Sequence, residues 1–431
     1  MTVFEQKGYQ IYVVGGGLRD FLLAKETNNW DFTTNALPEN ILQIFPDGFY
    51  HNKYGTVTVR INDELYEVTP FRKESQYLDY RHPEKIEWAD AIEEDLSRRD
   101  FTVNAMAYDG KRLIDLFEGR KHLREKLIVA VGDPDIRFTE DALRLLRAIR
   151  FSAQLGFSIE GKTQDSIKKN SALITKIAWE RIRDELIKIL SSGHPAKAIF
   201  LMHETELLKY ILPELDQSFL IPQKSPKRHH IYDAGTHMVM SLKHCPSKNP
   251  ITRLAALLHD VGKAATFHKD AQSGLITFYN HEVVGERIAK EIAQRLKLSN
   301  KDKNKFVKLV KYHQFTVSEI ITDKVVRRFI REIGKENIQD MLDLRTGDRI
   351  GSGAAPTSWR FELFKKRLID VQKEPFKITD LKIDGNDIMK KLSLKPGPKV
   401  GIVLKQIFQQ VVEKKLANDR KTLLNYLQTL H

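Results

Sequence analysis

The apolar positions change their period once along the chain, near residue 130. Before that point they come in short runs and alternations. "QIYVV" (10–14) is an apolar run of strand length. "TVTVRI" (56–61) alternates, so Val57, Val59 and Ile61 are predicted to share one face. "LYEVTPF" (65–71) is its predicted partner strand, joined through the turn-like "NDE". From about residue 134 the spacing is helical almost throughout. "DPDIRFTEDALRLLRAIRFSAQLGF" has a proline near its start and Ala142, Leu143, Leu146 and Ile149 at helical spacing, which predicts one long helix. Further helices are predicted at about 162–172, 178–191 and 194–207, with proline-rich breaks at "IPQKSPK" (221–227) and "KPGPK" (395–399). The pattern reads as α+β: a small α/β head followed by a long all-α body.

Composition narrows the class without naming it. The chain has 431 residues, enough for roughly three domains. It is 41% hydrophobic and 29% charged, with no run of about 18 apolar residues, so no membrane partner is expected. The N-terminal "MTVFEQKGYQ" lacks an apolar core flanked by basic residues, and no signal peptide is expected. One cysteine, Cys245, excludes an internal disulfide framework and suits a reducing compartment. A cytoplasmic location is the expectation. The net charge of +13 is compatible with a polyanionic partner but does not identify one.

The first candidate chemistry lies in "YVVGGGLRDFLLAKETNNWDF" (12–32). Gly15, Gly16 and Gly17 follow a strand and open a helix. Glycines there let the backbone approach a phosphate, and the helix N-terminus adds donors and a favourable dipole. A plain tight turn is the alternative. In a strand, Asn29 and Asp31 would project from the same face. Two carboxylates so placed hold divalent ions for in-line phosphoryl transfer, but here one of them is an amide. Glu67 is a candidate third ligand from a neighbouring strand, or else part of a solvated edge.

Gly-Gly-x-x-Arg-Asp followed by an Asp-x-Asp-like pair resembles the active-site start of the polymerase-β-like nucleotidyltransferases. More closely it resembles the bacterial and eukaryotic class of tRNA nucleotidyltransferases, the CCA-adding enzymes and their poly(A) polymerase relatives. "EEDLSRRDFTVNAMAY" (93–108) looks like that family's ribose-recognition motif, and "LIDLFEGRKHLREKLIVAVGDP" (113–134) like its head-to-neck hinge. "EDALR" (140–144) matches its base-recognising motif, "ERIRDELIKIL" (180–190) its neck helix, and "GNDIMKKLSLKPGPKVGIVLKQI" its tail. The resemblance implies a nucleotidyltransferase head over 1–135 and a helical neck with RNA binding over 136–220. It further implies a helical body over 221–355 and a tRNA-binding tail over 356–431. The implied reaction is template-independent addition of CMP and AMP to the tRNA 3′ end from CTP and ATP, with Mg²⁺ as cofactor. The basic body would grip the tRNA acceptor arm. An A-adding enzyme or poly(A) polymerase of the same family, and a catalytically silent RNA-binding homologue, stand as alternatives. The full-length polar loop "RKESQYLDYRHPEKIEWADAI" (72–92) argues, by resemblance, for adenine addition.

The residues support this reading chemically. On one helix, Asp141 and Arg144 are i,i+3 neighbours and Glu140 and Arg144 are i,i+4 neighbours. Asp141 would accept from an exocyclic amine while Arg144 donates to a ring acceptor. Cytosine and adenine both offer that pair; guanine and uracil do not. An ordinary surface ion pair is the plainer alternative. By resemblance, Arg98, Arg99, Asp100 and Asn104 would hold the triphosphate and ribose, Arg19 would add phosphate contacts, and Arg147 would line the nucleotide site.

Nine of the fourteen histidines fall between His203 and His313. His237, the adjacent His259-Asp260 and Asp348 occur in an order that resembles an HD-type metal phosphohydrolase domain, with His281 and His313 as extra candidate ligands. A second divalent metal is the implied cofactor; a helical scaffold with no metal is the alternative. For Asn29, the family pattern has aspartate. An amide keeps the shape and loses the charge. A substitution introduced to trap a complex, a natural variant of weak activity, and a homologue retained for RNA binding or HD chemistry all remain open.

Overall fold

In the head, strand β1 (Ile11–Val14) collects its neighbours on both sides. The computed structural model describes residues 1–50, 55–77, 83–223, 231–315, 322–372, 378–413 and 415–429; the side chains of 74–77 and 83–86 are also left aside. The middle of the loop expected at 72–92 and part of the 221–227 break therefore lie outside the described residues. Two compact units emerge: Met1–His313 with Asp343–Ala354, and Gln314–Leu342 with Ala355–His431. The second unit begins its final stretch one residue before the expected tail boundary at 356, and it also takes in 314–342, which the sequence placed in the body.

The head sheet has seven strands in the order β3-β4-β5-β2-β1-β8-β9. These are β2 (Asp31–Thr34), β3 (Phe49–Tyr50), β4 (Val57–Ile61), β5 (Glu64–Pro70), β8 (Ala107–Tyr108) and β9 (Leu113–Ile114) around β1. A separate hairpin pairs β6 (Arg72–Tyr77) with β7 (Pro83–Trp88). Among the described strands of the seven-stranded sheet only β2 and β5 run parallel, with Asp31 opposite Glu67. The sheet is mixed and small, in line with the expected head. The turn between β4 and β5 is tight because Asn62 and Asp63 both take positive φ, which these residue types tolerate best after glycine. Val57 and Val59 are buried as the alternation predicted, but Ile61 at the strand end is 41% exposed.

Helices α1 (Thr2–Gln6), α2 (Gly15–Leu22), α3 (Pro38–Ile44) and α4 (Ile92–Ser97) pack around this sheet, and α5 (Gly119–Glu125) leads out of it. Next come α6 (Pro134–Glu140), α7 (Leu143–Leu155), α8 (Gly161–Asn170) and α9 (Trp179–Leu190). The predicted long helix is therefore two. Asp141 leaves helical torsions at φ −136°, ψ 102°, and its carboxylate accepts the Leu143 N–H at 3.1 Å. Aspartate competes with the helix ladder through such local bonds, and here it starts α7 as well as ending α6.

The remaining helices of the first unit include α10 (Pro195–Glu204), α11 (Leu208–Ile211), α12 (Pro213–Ser218), α13 (Ala234–His244), α14 (Pro250–Leu258), α15 (His281–Arg295) and α16 (Asn300–Tyr312). Their apolar faces bury Leu254, Leu257, Leu258, Ile292 and Leu309 almost completely. In the second unit, Val326 and Ile330 pack with Phe364 and Leu368, and Ile388, Ile407, Leu423 and Leu427 form a separate apolar cluster. No helix among the described residues is long and apolar enough to cross a membrane.

Candidate active site

Beside β1 and β2 lies a cavity of about 750 Å³ whose walls come from the head strands, α2, α7 and α9. Eight arginines and four carboxylates (Asp31, Glu67, Asp100 and Asp141) line it, so its field favours a polyanion. Of the residues expected from the sequence, Gly15, Gly16, Arg19, Asp31, Glu67, Arg98, Arg99, Asp100, Asn104, Asp141, Arg144 and Arg147 all reach this wall. Gly17, Asn29 and Glu140 are not part of the lining.

The glycines differ in what they do. Gly15 has φ +73°, and a Cβ there would meet Asp31 Oδ2 at 3.2 Å. It turns the chain from β1 into α2 while leaving room for the carboxylate. Gly17 serves packing: a Cβ would stand 2.3 Å from the Asn29 carbonyl oxygen. Its bare face lets α2 lie against the segment that precedes β2.

That segment corrects the expected strand. β2 begins at Asp31, whose partner on β1 is Val14. Residue 29 would have to pair beyond the end of β1, where Gly15 has already begun a helix. Asn29 is consequently outside the strand and exposed. The two carboxylates that do meet are Asp31 and Glu67, in register on β2 and β5. Burial, and then Glu67, push the Asp31 carboxyl above its ordinary range, with Arg99 opposing. Two acids held together at this cost form a donor set that suits a divalent cation.

The arginines are fixed by buried carboxylates. Asp95 on α4 is fully buried; its Oδ1 accepts from Arg98 Nη2 at 2.6 Å and from the Arg72 N–H at 3.3 Å, and its Oδ2 accepts from Arg99 at 3.0 Å. Asp100 accepts from Arg147 Nε at 2.8 Å and from the Phe101 N–H at 2.8 Å. Arg19 donates to Asn104 Oδ1 at 2.8 Å. Asp100 and Asn104 thus hold guanidinium groups in place as well as facing the cavity. Arg19, Arg147 and Arg150 also gather around the Phe151 ring, at 5.5, 5.4 and 4.3 Å from its centroid. Glu140 acts from behind, accepting from Arg144 at 2.7 Å and from Arg137 at 3.0 Å.

Asp95, Arg72, Arg150, Phe151 and Arg181 were not anticipated. Asp95 had a readable signal, because it lies three and four residues before Arg98 and Arg99 on a helical stretch. Arg150 continues the spacing of three set by Arg144 and Arg147. Arg72 reaches the cavity only through long-range strand pairing.

Asp95 also makes stability depend on pH. Burial alone would raise its carboxyl, but Arg98 and Arg99 outweigh burial and hold it at about 2, against an ordinary 3.8. The folded-state value is the lower one. Its contribution is therefore complete above the ordinary value and is lost as pH falls toward 2. The shift corresponds to about 2 kcal/mol. Asp95→Asn is expected to lower urea-unfolding stability by about that amount at pH 7, with the difference from the parent shrinking toward pH 3. A constant difference across that range would overturn the assignment.

A second cluster forms in the helical body. His259 ends α14, Asp260 follows, and Gly262 lets the next turn approach α15, since a Cβ there would be 2.1 Å from the His281 carbonyl oxygen. His237, His259 and Asp348 form one group of donor atoms within 4.8 Å of one another, and Asp260, His281 and His313 form another. Asp260 divides its oxygens between them. Oδ2 is 3.3 Å from His237 Nε2 and 3.2 Å from His259 Nε2, while Oδ1 is 3.3 and 3.4 Å from His281 and His313 Nε2. The Nδ1 atoms of His259, His281 and His313 each hydrogen-bond a backbone carbonyl three residues back, at 2.9, 2.8 and 2.6 Å. That arrangement turns their Nε2 atoms inward. Burial alone would depress His259, yet Asp260 and Asp348 push it up to about 10. The quartet expected from sequence is assembled, and both extra histidines join it.

Three family models match successive parts of the chain. Residues 11–129 match the "Poly A polymerase head domain", 156–219 the "Probable RNA and SrmB- binding site of polymerase A", and 266–427 "tRNA nucleotidyltransferase domain 2". His237, His259 and Asp260 fall between the second and third of these regions. The CCA-adding enzyme of Ligilactobacillus salivarius is 33% identical over 425 residues, covering 97% of this chain and 92% of the relative. That of Lactococcus lactis subsp. cremoris is 31% identical over 431 residues, with 97% and 92% covered. Among solved structures, the Bacillus stearothermophilus CCA-adding enzyme in complex with CTP has a TM-score of 0.72 at 27% identity, covering 99% of this chain and 95% of that one. The Thermotoga maritima CCA-adding enzyme complexed with tRNA shares the fold at a TM-score of 0.63 and 21% identity. With matching family models over the head, neck and tail, and relatives aligned end to end, the chain belongs to the CCA-adding enzyme family of class II tRNA nucleotidyltransferases.

Proposed function

We propose that the protein adds CMP and AMP to the 3′ end of tRNA, using CTP and ATP and releasing pyrophosphate. The observation that carries this reading is one cavity holding both the Asp31/Glu67 carboxylate pair and the Asp141/Arg144 pair. The tRNA 3′-hydroxyl attacks the α-phosphate; its O–P bond forms as the bond to the β-phosphate oxygen breaks. Arg19, Arg98, Arg99 and the amides of the first turn of α2 hold the triphosphate, and Asp100 keeps Arg147 aimed at it. Asp141 accepts the exocyclic amine of cytosine or adenine, and Arg144 donates to the adjacent ring nitrogen. Arg144 suits this role because Glu140, the Arg137 carbonyl and the Arg98 carbonyl, at 2.7, 3.2 and 3.0 Å, fix its orientation. Asp31 and Glu67 would hold the divalent ion, Mg²⁺ in this reading. When bound it neutralises charge developing at the α-phosphate. The tRNA acceptor arm is the proposed macromolecular partner, in keeping with the net charge of +13.

Incubating the protein with each labelled NTP and with tRNA ending before, within or one residue short of CCA tests the reading. CMP and AMP incorporation in order is expected. AMP alone would indicate an A-adding enzyme, and no incorporation a silent RNA-binding homologue. Asp141→Ala is expected to cut use of CTP and ATP by about tenfold or more, the scale of a lost hydrogen bond to a charged group, with tRNA affinity within twofold. Equal loss of tRNA binding with unaltered nucleotide preference would sink the base-reading role.

The six-donor cluster supports a second metal centre in the body. His237, His259 and Asp348 would hold one divalent ion and His281 and His313 another, with Asp260 between them. Bound there, such ions activate water for phosphate-ester hydrolysis.

A further inference from the structure

Arg181 enters the base-reading corner from α9 and lines the same cavity as Asp141 and Arg144. Its Nη2 lies 3.5 Å from Asp141 Oδ2, at the outer limit of a hydrogen bond, and its Nη1 is buried with no hydrogen-bond partner. A guanidinium placed this way is an incomplete ion pair, with donor capacity left for something that enters. Asp141 Oδ1 is already engaged by the Leu143 N–H, so Oδ2 is the oxygen that an exocyclic amine shares with Arg181.

We propose that Arg181 is a specificity-determining residue that donates to N7 of incoming adenine. The inference rests on the base-reading role of Asp141 and Arg144. A donor attached to the carboxylate that takes the amine has two neighbours on a base edge. One is the ring nitrogen, which Arg144 takes. The other lies across the amine: adenine presents the N7 acceptor there, whereas cytosine presents a C5–H that accepts nothing. Asp141 and Arg144 treat the two bases alike. Arg181 separates them, giving the purine one contact that the pyrimidine lacks.

The test is single-turnover AMP incorporation into tRNA lacking only its terminal A, with ATP and with 7-deaza-ATP, which carries a C–H at that position. The parent is expected to prefer ATP by about tenfold, the scale of one hydrogen bond from a charged donor. Arg181→Met should collapse that ratio to about one, and Arg181→Lys should restore part of it. Equal use of the two nucleotides by the parent overturns the proposal, as does an undiminished ratio in Arg181→Met. If Arg181→Met incorporates nothing, the parent's ratio alone decides. Failure of the underlying reading looks different: the parent would then incorporate neither CMP nor AMP, or Asp141→Ala would leave nucleotide use unchanged.

Discussion

Asp31→Asn is expected to reduce single-turnover CMP and AMP incorporation by about a hundredfold or more, at unchanged tRNA affinity. The substitution keeps the side chain's shape and removes one of two charges that the sheet brings into register. Because burial and Glu67 already hold the Asp31 carboxyl above its usual range, the site is unfavourable without a cation and gains by binding one. Glu67→Gln should act in the same direction, and both variants should need more divalent ion for half-maximal rate. Asn29→Asp is the informative contrast. Its side chain is exposed and outside the cavity lining, so the added charge is screened by water and the expected gain is below about threefold. A hundredfold gain in Asn29→Asp would show that residues 27–30 turn inward when metal binds. Full activity in Asp31→Asn would remove the carboxylate pair from the chemistry altogether.

The full chain, dialysed against a chelator and reloaded with Mn²⁺, is expected to retain metal in the body through the six-donor cluster. His259→Ala combined with Asp260→Ala should abolish that metal, read by elemental analysis after desalting, because Asp260 supplies an oxygen to each donor group. Nucleotidyl transfer provides the folding control, since the head's cavity contains neither residue. The double change also removes the buried counter-charge of Lys263, which lies 2.5 Å from Asp260 and would keep its hydrogen bond to Gln223, so a thermal scan of each single variant should accompany it. Metal content unchanged by the double substitution would refute the assignment.

Much of this was legible from local patterns. The alternation at 56–61 marks β4, and the short motifs name twelve of the 22 residues that line the cavity, most of them charged or glycine. What failed did so where a decision is made at long range. Whether the second strand includes Asn29 depends on where β1 stops, and Gly15 settles that from another segment. The period through 133–157 is helical throughout, so periodicity could not reveal that Asp141 prefers to bond the Leu143 N–H. Asp95 is not part of the cavity lining; its spacing to Arg98 and Arg99 is local, but the third donor, the Arg72 N–H, comes from a distant segment. The histidine cluster was readable as a set of donors, whereas the division of Asp260 between two groups depends on packing.

The break between α6 and α7 bears on how one protein handles rings of different size. Within an uninterrupted helix, the position of Asp141 would be tied to the hydrogen bonds of the turns on either side. At the joint, Asp141 has extended torsions: its N–H closes α6 on the Arg137 carbonyl and its carbonyl accepts the Arg144 N–H, so a rotation there moves the carboxylate at the end of each ladder rather than inside one. Arg144, the second residue of α7, is held by three protein acceptors. On the proposed base-reading role, a one-ring and a two-ring base would meet one donor held by three acceptors and one acceptor placed at a helix joint, with the difference in their widths taken up at a single residue.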